Sequence, residues 1–228
     1  MPEQSRPLLA IGNKAYSSWS MRAGLILDHA GIDCEEVIIP LRQDDTKARI
    51  LAHSPAGKVP VLILADGKGG QQAIWDSLAI CEWAAERNPE AGLLPADPLA
   101  RAVCRSAAAE MHSGFQTLRQ RCPMNIRMTF PTPPLSAELA ADIERIFALW
   151  SDCRSRFGAG GPFLFGGYSI ADAQFAPVVS RFRTYGIGGD AVVEAYMVAV
   201  TTDAAYRKWA EAGMAEPWHI ADLDRPPS

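Results

Sequence analysis

The chain has 228 residues, which at roughly 100 to 200 residues per domain is one large domain or two small ones. Hydrophobic residues make up 48% and charged residues 21%, with 18 Gly and 17 Pro, which excludes disordered, collagen-like and low-complexity chains. The net charge of −4 lacks the basic excess needed to neutralise many phosphates, so nucleic acid is excluded as the main partner.

The 5 cysteines (Cys34, Cys81, Cys104, Cys122, Cys153) form an odd set without a C-x-x-C pair. That usage fits a reducing compartment and suggests no metal site. The apolar run Leu8 to Ile11 is too short for a signal-peptide core, and no stretch is long and apolar enough to span a membrane. A soluble, cytoplasmic protein is expected.

In chain order, Leu8 to Gly12 reads as a buried strand, and Met21 to Ala30 as a helix with Gly31 as its C-cap. Val37 to Ile39 reads as a second strand ended by Pro40, and Asp44 to Ala52 as a polar helix. Val61 to Leu64 and Gln72 to Trp75 flank Asp66-Gly67-Lys68-Gly69-Gly70 as a hairpin. Ser77 to Arg87 closes the segment as a helix capped by Asp76 or Ser77, so the order is βαβαββα. Three prolines between Asn88 and Pro98 mark a linker. Beyond it strand signals nearly vanish. Leu99 to Arg121 reads as one helix, and Leu139, Ile143, Ile146, Phe147, Trp150 and Cys153 form an amphipathic stripe. Ser169 to Tyr185, Ala191 to Val200 and Asp203 to Ala212 complete a helical half. The expected division is 1–87, a linker at 88–98, and 99–228.

Two local features carry chemistry. Lys58-Val59-Pro60 opens the third strand; it is either a simple edge-strand start or, with a cis Val59-Pro60 bond, a turn that presents the Val59 backbone to an extended peptide. Asp76 and Ser77 then offer a helix N-terminus to a carboxylate, a role compatible with capping. Tyr16-Ser17-Ser18-Trp19-Ser20-Met21-Arg22 lies at the carboxyl end of the first strand. Serines there are ordinary caps, yet in open α/β sheets this is also where ligands bind. A hydroxyl at that point can donate to a thiolate and lower the thiol's pKa.

These stretches, with Ser54 to Pro60, Asp76 to Ile80 and Tyr168 to Ala173, resemble the cytosolic glutathione S-transferases over nearly the whole chain. The S-S-x-S-x-R spacing is most similar to the serine-type zeta (maleylacetoacetate isomerase) branch. The resemblance implies a thioredoxin-like N-terminal half followed by an all-α C-terminal half, a homodimer, and glutathione as cosubstrate with no metal. It implies that Ser17 stabilises the glutathione thiolate, with Ser18 and Tyr16 as alternates. It also implies that the Val59 backbone pairs with the cysteinyl unit before a cis Pro60, that Lys58 is a further glutathione-binding residue, and that Asp76 with Ser77 holds the γ-glutamyl end. Where the zeta pattern has Cys after its two serines, this chain has Trp19, which adds bulk beside the thiol.

The second-substrate pocket is expected to involve Trp19, His112 and Arg119. The polar stretch from Glu110 to Arg127 reads either as a solvated helix face or as pocket lining that favours an anionic electrophile. Ser169-Ile170-Ala171-Asp172 reads as a capping box, with Tyr168 and Ala173 as its staple, and Pro177 is expected to kink the helix that follows. Two functions fit: an enzyme that attacks a small electrophile with glutathione, by conjugation or isomerisation, and a non-catalytic adaptor of the same fold.

Overall fold

A computed structural model describes residues 6–226. Four strands, Leu8–Gly12 (β1), Glu35–Ile39 (β2), Val61–Ala65 (β3) and Gln71–Ile74 (β4), form one sheet of order β2-β1-β3-β4. β1 runs parallel to β2, with Leu8 opposite Glu35 and Gly12 opposite Ile39. β3 is antiparallel to both β1 and β4. A parallel neighbour needs a crossover, and the helix Ser18–His29 (α1) supplies it. Residues alternate across β1: Leu9 and Ile11 join the main core, while Ala10 faces Ile39, Val61 and Ile50. Ile50 lies on the short helix Thr46–Leu51 (α2). The hairpin loop closes on Asp66, whose carboxylate accepts the amides of Lys68 and Gly70 at 2.8 Å each.

α1 begins at Ser18, three residues before its apolar spacing starts, because Ser17 caps it and the serines fill the first turn. It ends at His29 with Ala30, not Gly31, as its C-cap, and Gly31 follows at φ 64°. The helix Ser77–Arg87 (α3) starts under the Asp76 cap and packs beside α1.

After Arg87 the described residues form a 3-10 turn at Pro89–Ala91, six helices, Pro98–Ser113 (α4), Gln116–Arg121 (α5), Ala137–Phe157 (α6), Ile170–Thr184 (α7), Ala191–Thr202 (α8) and Ala204–Ala215 (α9), and two isolated bridges between α6 and α7. The single helix expected from Leu99 to Arg121 is broken. Gly114 turns extended, where a Cβ would stand 2.8 Å from the Glu110 carbonyl, and Phe115 follows at φ 60°. α7 runs continuously through Pro177. Its capping box is present: the Asp172 carboxylate accepts Ser169 N–H at 2.8 Å and the Ser169 hydroxyl at 2.6 Å. Tyr168 stacks on His29 at 3.5 Å. The helical core centres on Trp150, fully buried against Tyr196, Phe175 and Phe182 at 4.7, 5.7 and 5.7 Å. α7 also packs on α1, so the two halves share one core.

Candidate functional site

The β1–α1 turn carries the serines. Asn13 C=O accepts the amides of Tyr16 (3.2 Å) and Ser17 (2.8 Å), which delivers Ser17 to the helix N-terminus. The Ser17 and Ser20 hydroxyls share a hydrogen bond of 2.8 Å, and Ser20 Oγ also accepts the Gly12 amide at 3.0 Å. Ser17 Oγ accepts the Ser20 amide at 3.3 Å. Ser17 Oγ is the donor in the bond to Ser20 Oγ, and rotation of the hydroxyl about its C–O bond turns that proton to a partner at the positive end of α1.

Its neighbours point elsewhere. Ser18 Oγ accepts from Arg181 of α7 at 3.2 Å, inside the fold. Tyr16 donates its hydroxyl to Asp224 at 2.8 Å. Burial first, and the bond to Asp224 next, raise the Tyr16 pKa.

At the other edge of the site the Val59-Pro60 bond is cis, and neither backbone polar group of Val59 has a partner among the described residues. Ser54 Oγ accepts the Lys58 amide at 3.4 Å and shapes this turn, while the Lys58 side chain is exposed. Asp76 Oδ1 accepts the Leu78 amide at 3.1 Å, and Oδ2 lies 3.2 Å from His112 Nε2. Ser77 Oγ is buried without a partner. An unpaired hydroxyl at a helix N-terminus beside an open backbone edge fits a small peptide ending in a carboxylate.

Trp19 joins this edge to the helical half. The His112 ring meets it edge-on at 5.2 Å, and the guanidinium groups of Arg22 and Arg119 lie over it at 4.3 and 4.9 Å. Trp19, His112 and Arg119 are therefore together, and two arginines outside the expected pocket, Arg22 and Arg181, join them. Arg22 is completely buried with all three guanidinium nitrogens unpartnered. Burial pushes its pKa well below the usual value, with repulsion from Arg119 and then Arg181 adding to the effect. Arg181, also buried, is brought down to about 10 by the same two causes, burial ahead of Arg119. Arg119 donates to the carbonyls of Gly114, Met111 and His112. None of the three pairs with a carboxylate among the described residues. Such a cluster holds net positive charge that an anion would balance.

Arg22 was visible only as the last residue of the serine spacing. Arg181 had no signal, since its helix reads as almost wholly apolar. Arg127 turns away from this cluster to the carbonyls of Gly213, Glu216 and Trp218. Burial pushes the thiols of Cys34, Cys104 and Cys122 up to about 11, and those of Cys81 and Cys153 up to about 12, so none is a ready thiolate. No cluster among the described residues has the make-up of a metal site, and no described helix is long and apolar enough to cross a membrane.

Two family models match the chain: "Glutathione S-transferase, N-terminal domain" over residues 16–87 and "Glutathione S-transferase, C-terminal domain" over residues 133–211. A probable maleylacetoacetate isomerase of Caenorhabditis elegans is 34% identical over 113 residues, covering 50% of each chain. A zeta-class glutathione S-transferase of Euphorbia esula is 31% identical over 124 residues, covering 54% of this chain and 53% of its own. The chain thus spans about half the length of these curated relatives. Among solved structures, a sphingomonad glutathione S-transferase complexed with glutathione is 25% identical at TM-score 0.62, covering 92% of this chain and all of its own. Glutathione transferase Omega 2S from Trametes versicolor, 23% identical at TM-score 0.66 over 99% of this chain and 100% of its own, shares the fold. With both halves matched in order, and with relatives that bear zeta-branch names, the chain belongs to the glutathione S-transferase family.

Proposed function

We propose that the protein is a glutathione transferase that binds glutathione as cosubstrate and activates its thiol at Ser17 for attack on a small electrophile. The observation that carries this reading is the contrast among three hydroxyls: Tyr16 and Ser18 are engaged by Asp224 and Arg181, whereas Ser17 is bonded only within its own turn. Glutathione lies along the open edge, with the Val59 backbone pairing with its cysteinyl unit beside Pro60 and Lys58. Asp76, Ser77 and the α3 N-terminus receive the γ-glutamyl end. That places the thiol at the N-terminus of α1.

A free thiol with a pKa near ~8.5 is only a few per cent ionised at neutral pH. Donation by Ser17 and the helix dipole raise that fraction, and the thiol proton passes to water. The sulfur then forms a bond to an electrophilic carbon. In conjugation a leaving group departs with its electron pair, or a proton is taken up; in isomerisation the carbon–sulfur bond forms, the substrate rotates and the sulfur leaves again. Trp19, His112 and Arg119 line the second-substrate pocket, and the uncompensated charge of Arg22, Arg119 and Arg181 favours an anionic electrophile. Trp19 in place of the zeta cysteine leans the reading toward conjugation. The same proposal includes a cytoplasmic homodimer and a division into 1–87, 88–98 and 99–228.

Ser17→Ala is expected to lower kcat on the order of 100-fold, as for loss of one donor to a reacting anion. Calorimetry should show glutathione affinity nearly unchanged, and Ser18→Ala should act mainly on stability. Equal losses in turnover and affinity, or none in Ser17→Ala, would reject the role. A chain that fails to bind glutathione at millimolar concentration would instead be a non-catalytic adaptor of this fold.

A further inference from the structure

Lys14 and Ala15, just ahead of the serine turn, have all four backbone polar groups paired with the helical half or the segment that follows it. Glu216 accepts the Lys14 amide on Oε1 at 2.7 Å and the Ala15 amide on Oε2 at 3.2 Å. Trp209 donates its indole N–H to the Lys14 carbonyl at 3.0 Å, and the Ile126 amide donates to the Ala15 carbonyl at 3.2 Å. Gly213, at the end of α9, lets that helix approach the turn directly: a Cβ there would stand 3.1 Å from Ala15 N and 2.5 Å from Ile126 Cδ1. Glu216 is 8% exposed, and its carboxylate makes no ion pair among the described residues, so its two oxygens are held by the two amides. Hydrogen bonds to a carboxylate are roughly twice as strong as neutral ones. Two residues further on, Ser17 hangs from the same turn through Asn13 C=O.

We infer that Glu216 is a positioning residue for the reaction, holding the Lys14–Ala15 backbone so that the Ser17 hydroxyl meets the thiol. The inference rests on the reading of Ser17 as the thiol's partner. A misplacement of ~1 Å at a reacting group costs on the order of 100-fold in rate, so a weakened grip is felt in turnover before it is felt in binding.

Glu216→Gln keeps the shape but presents an amide N–H₂ to one of the two backbone donors. In its binary complex with glutathione, thiolate ultraviolet absorbance followed against pH should show a raised thiol pKa. Turnover should fall about tenfold, with glutathione affinity nearly unchanged. Because Glu216 acts through Ser17, adding Glu216→Gln to Ser17→Ala should move the thiol pKa no further. Trp209→Phe, which removes the second tie to Lys14, should act in the same direction and serves if Glu216→Gln does not fold. An unchanged thiol pKa in the folded variants, or a full additional loss in the Ser17→Ala background, overturns the inference alone. If Ser17→Ala itself leaves the thiol pKa unmoved, the Ser17 reading fails first and takes the inference with it.

Discussion

Replacing Arg22 by Met should make the protein more stable while weakening the pocket. The guanidinium is 0% exposed and none of its nitrogens has a hydrogen-bond partner. Exchange of buried charge for a well-packed apolar side chain is commonly neutral or stabilising by about 1–4 kcal/mol. Against this stands the lost stacking on Trp19, about 0.5–2 kcal/mol, because the guanidinium lies 4.3 Å from the ring centroid. Taking the middle of each range, about 2.5 less about 1.25, the net gain is about 1 kcal/mol, and at about 2–4 °C per kcal/mol for a chain of this size the Tm should rise by about 2–4 °C. Differential scanning calorimetry on the ligand-free protein reads the stability. Turnover with paired anionic and neutral electrophiles reads the function, and KM should rise for the anionic one. A Tm lowered by several degrees would refute the reasoning, since it would mean that the guanidinium is satisfied where it lies and is not held for an incoming anion.

The thiols give a second check. At pH 8 a thiol reagent should label Cys34, the half-buried cysteine, slowly in the native protein and all 5 cysteines after unfolding, because burial pushes every thiol up to about 11 or 12. Rapid native labelling of Cys81 or Cys104 would contradict the packing of α3 on α1 and α4. A third concerns Asp224. Burial raises its pKa, but hydrogen bonds from Tyr16, His219 and Asn125 outweigh burial and leave it below the ordinary carboxyl value. A carboxyl depressed in the folded state stabilises above its unfolded pKa near ~3.9 and loses that contribution as pH falls through the folded value. Hydrogen-exchange protection of the Ile220 amide, which donates to Tyr16 at 3.4 Å, should therefore drop in that acid range and become pH-independent there in Asp224→Asn. Protection unchanged across it would remove Asp224 from the account.

The mixed half was legible because its signals are local. Alternation within Leu8 to Gly12, the Asp66 loop and the Asp76 cap each lie within a few residues of the element they define. The capping box at Ser169 and Asp172 is of the same kind. The break at Gly114 and Phe115 escaped notice because the flanking residues favour helix on both sides and only the Glu110 carbonyl forbids a Cβ at that point. In the site, the serine turn and Trp19 could be read from spacing. Arg181 and Glu216 could not, since they reach the turn across 163 and 202 residues of sequence and nothing beside them marks a site.

Composition divides this chain at its prolines, yet the contacts that define the serine turn ignore that division. Gly24 sits so close to Trp209 that a Cβ would come within 2.1 Å of the indole, and the same indole ties down Lys14. Arg181 reaches back to Ser18, and Asp224 to Tyr16. The β1–α1 turn is thus completed by residues of the helical half and the segment after it. The N-terminal half on its own holds the right sequence at its turn but not the partners that shape it, so the site is complete only with the helical half packed against it.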